Sequence, residues 1–108
     1  MRKFRVTING RNYLMDWEGE RKRIGFFKIF FLEAEDPQAA ENLAVAKIIA
    51  DPKWEGTILN DESDPPMMYL DSLTELESTA DVSAPETGYI FYPDEVTGGE
   101  PGSDGQSR

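Results

Sequence analysis

Apolar and polar residues alternate from the start of the sequence. Phe4, Val6 and Ile8 are interleaved with Arg5 and Thr7, the period-two pattern of a half-buried strand. Asn9-Gly10 follows, a dipeptide that favours a tight type I′ hairpin turn. Tyr13, Met15 and Trp17 alternate with Leu14 and Asp16 and predict the returning strand. A charged connection, Glu18 to Arg23, leads into Gly25–Leu32, an aromatic run broken only by Lys28. Its β-favouring composition predicts a central strand with both faces largely covered. These three strands form an antiparallel meander in the simplest reading.

Asp36 has the chemistry of a helix N-cap, and Pro37 suits the first helical position, where a missing N–H costs nothing. The helix is predicted over about 37–50, ended by Pro52 because residues before proline avoid the α region. Ala40, Leu43, Ala44 and Ile48 share its apolar face, with Val45 and Ile49 on the flank. A long connection over 51–66 comes next, of a length that marks functional or mobile loops. Met67–Leu70 resumes the apolar pattern. Leu70, Leu73 and Leu76 have helix-like spacing, but the Pro65-Pro66 start and the apolar run favour a strand with a bulge. Completing a β-α-β unit, that strand is expected to lie parallel to Phe26–Leu32 after a right-handed crossover. Gly88–Pro93 is an aromatic island, either a short edge strand or a segment stapled to the sheet. From Asp94 the composition turns to Gly, Pro and acids, which predicts a disordered tail. The expected fold class is therefore α+β in the order β-β-β-α-β-β, with one domain over 1–93 and a tail over 94–108.

Composition narrows the chemistry. The 108 residues contain no cysteine and no histidine, which removes disulfides, thiolate metal sites and the commonest general base. No apolar run approaches a membrane span, and Arg5, Asn9 and Arg11 interrupt any signal-like segment after Met1-Arg2-Lys3. A cytoplasmic protein with no membrane partner is the expectation. The net charge is −10, yet residues 1–30 carry eight basic against three acidic side chains. The two halves either neutralise each other across the fold or give the molecule one basic and one acidic face.

The central stretch resembles a group of small uncharacterised bacterial proteins. The similarity rests on Gly25-Phe26-Phe27, Phe31-Leu32-Glu33-Ala34, Asp36-Pro37 and Ala40-Glu41, and on the later Gly88, Phe91, Tyr92 and Pro93. It covers roughly 3–93 and implies a stable β-rich domain of bacterial origin, with no activity attached.

For an enzyme, catalysis would fall to carboxylates, Lys or Tyr, and close pairs such as Glu33/Glu35 or Asp61/Asp64 arise by chance among twenty-one acids. No phosphate-binding loop is present, since Gly98-Gly99 lies in the tail. No cofactor is implied. Asn60, Asp61, Glu62 and Asp64 offer oxygen ligands but lack the central Gly and distal Glu of a calcium loop. The reading that remains is a non-catalytic protein-interaction or regulatory module, immunity- or inhibitor-like, meeting a basic protein. Its candidate contact residues are Trp54, Glu55, Asp61, Glu62 and Asp64. Trp54 is either such a contact or a lid folded over the helix end. The alternatives are a nucleic-acid-binding hairpin, with Tyr13 and Trp17 stacking on bases beside Arg2, Arg5, Arg11 and Arg21–Arg23, and an inhibitor whose acids mimic phosphates. The overall acidity opposes the former. A monomer or an edge-strand dimer fits the pattern.

Overall fold

Two strands, β1 (Arg2–Trp17) and β2 (Glu20–Ala34), form one long antiparallel hairpin in the computed structural model, which describes residues 1–83 and 86–94. The turn is Glu18-Gly19, both at positive φ (54° and 85°), as a type I′ turn requires. The expected turn at Asn9-Gly10 does not form, so the three-stranded meander is corrected to a two-stranded hairpin. Gly10 serves a different need. A Cβ at that position would overlap the ring of Phe26 on the neighbouring strand. The Asn9 amide donates to the Phe26 carbonyl (3.0 Å) and to the Tyr92 hydroxyl (2.7 Å). Both residues therefore serve the middle of a sheet.

Between Gly10↔Phe26 and Tyr13↔Ile24, two residues of β1 (Arg11 and Asn12) oppose the single Gly25 of β2. This is a β-bulge, with Asn12 at φ 62°. It shifts the buried positions from even (Phe4, Val6, Ile8, Gly10) to odd (Tyr13) while keeping one face apolar.

The helix α1 spans Pro37–Ile49, close to expectation. The Asp36 carboxylate accepts from Ala39 N–H at 2.8 Å, an N-cap as predicted from Asp-Pro. Ala40, Ala44 and Ile48 are buried against the sheet, whereas Leu43 is 42% exposed and Ile49 69%. The small alanines let the backbone approach closely, and this leaves Leu43 outside the contact.

After a short 3₁₀ turn (Pro52–Trp54), β3 (Met67–Leu76) pairs antiparallel with β1, and β4 (Ile90–Pro93) pairs antiparallel with β2. The sheet order is β3-β1-β2-β4, and the element order is β-β-α-β-β. β3 runs in the same direction as β2, as the β-α-β reading requires, but β1 lies between them and all pairings are antiparallel. Leu70 and Leu73 take positions opposite Ile8 and Val6 because a register shift at Asp71 separates them. That bulge accounts for their helix-like spacing. The aromatic island is an edge strand, and Tyr92 folds its ring over Gly25.

One face of the sheet carries the core, which joins Phe4, Val6, Ile8, Tyr13, Phe26 and Phe30 to the alanine face of α1. The expectation that both faces of β2 are covered is corrected. Even-numbered Phe26, Phe30 and Leu32 are buried, but Phe27, Ile29 and Phe31 are half-buried on the opposite face, which carries no helix. Of the expected tail, Asp94 is tied to the fold. Its carboxylate accepts from Arg11 (2.8 Å) and from Asn12 N–H (2.8 Å), and its own N–H donates to the Arg23 carbonyl (3.0 Å). The remainder, 95–108, lies outside the described residues.

Candidate functional site

The connection after α1 is ordered by its own polar residues. Asp51 caps the 3₁₀ turn by accepting from Lys53 N–H (2.9 Å), which turns Trp54 inward. The Trp54 indole sits against Tyr13, Phe26, Tyr89 and Phe91, with ring centroids 5.1–6.3 Å away. At 9% exposure it is packed into the core, as the lid reading expects and unlike an exposed contact. Charged neighbours suggested a wet position, but the aromatic wall that buries the ring comes from three distant segments, β1, β2 and residues 89–91.

A hydrogen-bonded chain closes this cluster. Trp54 Nε1 donates to the Tyr89 hydroxyl (3.1 Å), which donates to Asp51 Oδ2 (2.6 Å). Burial and then the Asp51 hydrogen bond push the Tyr89 phenol well above its ordinary value. The same bond, with the Lys53 N–H, holds Asp51 below the usual carboxylate range. Burial alone raises Tyr13 to about 12. Lys28, the polar break in the aromatic strand, is 4% exposed. Its ammonium lies 4.1 Å from the Tyr89 ring centroid, 2.9 Å from Glu86 Oε1 and 2.7 Å from the Thr87 carbonyl. Lys28 and Tyr89 were not singled out by sequence. The signal available for Lys28 was a lone cation inside an apolar strand.

The acidic part of the connection divides into anchors and free groups. Asn60 Oδ1 accepts from Leu14 N–H (2.9 Å), and its amide donates to the Asn12 and Asp64 carbonyls (2.9 Å each). Asp64 accepts from the Asn12 side chain (2.9 Å) and pairs with Arg23 (2.8 Å). Leu59 N–H reaches the Leu14 carbonyl (2.9 Å). Asn60 thus satisfies backbone groups of Leu14 and Asn12 around the β1 bulge, and Asp64 holds the side chains of Asn12 and Arg23. Glu55, Asp61 and Glu62 point to solvent. Beside them is a shallow groove of ≈ 370 Å³ lined by Met15, Asp16, Arg21, Gly56, Thr57 and Leu59. Among the described residues, no group of three acids converges as a metal site would need.

Comparison with protein-family models, with curated proteins and with solved structures returns no match. The resemblance to a small bacterial group rests on the residues named for it alone.

The basic hairpin is not arranged as a stacking surface. Tyr13 is 5% exposed, and Trp17 lies edge-on against Phe91 at 5.5 Å, on the covered side of the sheet. Arg11 and Arg23 are engaged with Asp94 and Asp64, and Arg2 with Glu75. No helix of the described chain is long and apolar enough to cross a membrane.

Proposed function

We propose that this chain is a non-catalytic binding module that presents a pre-ordered acidic loop to a basic protein. The observation that supports it is the division of labour in residues 55–64. Asn60 and Asp64 turn inward and hold the loop on β1, while Glu55, Asp61 and Glu62 are left exposed. A loop already held in one conformation loses little entropy on binding. Its carboxylates steer a basic partner at long range, an effect that fades as salt rises. Leu59, 36% exposed beside the groove, supplies apolar contact next to the charges.

A pull-down from a bacterial lysate at low and high salt tests this reading. The wild-type chain is expected to retain a basic protein at low salt and release it at high salt. The triple variant Glu55→Gln/Asp61→Asn/Glu62→Gln is expected to lose it while unfolding at the same temperature. Retention of nucleic acid, or of a protein indifferent to the triple substitution, defeats the proposal.

A further inference from the structure

The sheet face opposite α1 carries an aromatic and aliphatic field across three strands. Phe27, Ile29 and Phe31 of β2 are half-buried there. Ile90 of β4 is 56% exposed, and Tyr69 and Met67 of β3 are 49% and 46% exposed. Registers place these side chains on one face: Phe27 opposite Asn9 and Ile90, and Tyr69 opposite Asn9. Tyr92 belongs to the same field. Its ring is fixed over Gly25, 5.4 Å from Phe27, with its hydroxyl held by Asn9. A tyrosine so fixed is a rigid contact with little side-chain entropy left to lose.

Charge decides what this face fits. Between Arg5 and Arg11, β1 contributes only Thr7 and Asn9 to the face. Between Glu33 and Arg23, β2 contributes only Phe31, Ile29, Phe27 and Gly25. The charged groups stand at the two ends, and Arg11 is already neutralised by Asp94. A field uncharged at its centre and polar at its rim has the anatomy of a protein interface core. It offers no row of free cations for a phosphate backbone or an acidic peptide. The rest of a chain of net charge −10 repels its own kind, so two copies approach with least cost through this near-neutral face.

We propose that the open sheet face is a self-association surface, on which a second copy stacks its own sheet to form a two-fold dimer. Three strands about 4.8 Å apart over some eight to ten residues, with the short β4 (Ile90–Pro93) beside them, cover roughly 500 Å². Two such faces remove roughly 1,000 Å² from water, the least that a specific interface buries and the mark of a weak, concentration-dependent dimer. The free edge of β3 is a poorer route. Its bulge at Asp71 distorts the edge, and Asp71 and Glu75 charge it.

Sedimentation equilibrium of the whole chain from about 1 µM to about 1 mM tests the proposal. The mass is expected to rise from 12.2 kDa towards twice that value. Ile90→Lys and Tyr69→Lys are each expected to weaken the dimer at least about tenfold, the loss typical of an interface contact. Both side chains are about half exposed, so far-UV circular dichroism and the thermal midpoint should stay unchanged, and either variant suffices if the other misfolds. A mass that stays monomeric throughout overturns the proposal, as does a dimer that tolerates both substitutions. Binding of a labelled single-stranded oligonucleotide that is lost in Arg5→Ala also overturns it, in favour of a nucleic-acid face. The triple acidic-loop variant should dimerise normally, which separates this outcome from that of the loop proposal.

Discussion

The ring of Phe26 occupies the space in which a side chain at Gly10 would stand. The two residues are register partners in the middle of the sheet, and the glycine lets the ring lie flat across the neighbouring strand. Gly10→Ala is expected to force the ring into Tyr13 and Trp54, which already touch it, at a cost of about 1–3 kcal/mol. Urea titration should show this as a lower midpoint at unchanged slope. A neutral result would mean that the Phe26 ring can swing clear.

Lys28 and Glu86 should respond unequally to mutation. Lys28→Met keeps the stem volume, removes a buried charge and leaves Glu86, 41% exposed, to be solvated. The expected change is near zero or a gain of up to about 2 kcal/mol. Glu86→Gln leaves the ammonium with the Thr87 carbonyl and the Tyr89 and Phe30 rings but no counter-charge, and a loss is expected, tempered by the exposure of the carboxylate. Thermal melts of the two single variants are sufficient to rank them. If Lys28→Met proves the more damaging, the cation holds the 86–89 segment in a way that packing cannot replace.

Stability should fall on both sides of neutral pH, and Tyr89 links the two limbs. Tyr13 and Tyr89 have folded values raised above the ordinary phenol value of about 10, so their contribution is complete below that pH and is lost as pH rises through it. Asp51 has a depressed folded value, so its contribution is present above the ordinary carboxylate value of about 3.9 and is lost as pH falls below it. Tyr89→Phe removes one phenol and the hydrogen bond to Asp51. Melting midpoints from pH 3 to about pH 11 are expected to show both limbs shallower in that variant. An unchanged acid limb would show that Lys53 N–H alone sets the carboxylate.

How much of this could be read from the sequence depends on how far apart the determinants lie. The N-cap, the start and end of α1 and its alanine face follow from neighbours within a few residues, and they were legible. The hairpin was not. Asn9-Gly10 is a strong local turn signal, but pairing two strands of fifteen and sixteen residues aligns Phe4, Val6 and Ile8 with Leu32, Phe30 and Lys28, and that non-local gain wins. Trp54 stayed open between contact and lid for the same reason, since the rings that bury it come from β1, β2 and the 89–91 segment. Asn60 and Asp64 read as surface because nothing local shows that the backbone of Leu14 and Asn12 and the side chains of Asn12 and Arg23 turn towards them.

Trp54→Ala should therefore behave as a core truncation. A loss of about 3–5 kcal/mol is expected, and the indole of the folded wild type should emit at short wavelength. A near-neutral effect on stability would return Trp54 to the surface.

Asn60→Ala should unfasten the loop without breaking the core. It leaves the Leu14 N–H and the Asn12 and Asp64 carbonyls without their partner, at a cost of about 1–3 kcal/mol. Hydrogen exchange at the Leu14 amide is expected to accelerate much more than at Val6 in the sheet centre. Equal acceleration at both sites would mean that the loop and sheet unfold as one unit.

The two-for-one step at Arg11–Asn12 works like a change of reading frame in a strand. Upstream of it the chain is spelled with the core on even positions, downstream on odd ones, and Asn60, Asp64 and Asp94 guard the junction. Paired one for one without the bulge, the same residues would keep an unbroken alternation and turn Tyr13 out to solvent with Leu14 facing in. The far half of the hairpin would be written inside out. The extra residue thus decides which face of the far half meets the core, and a chain one residue shorter at this junction would pair regularly with Tyr13 still inward.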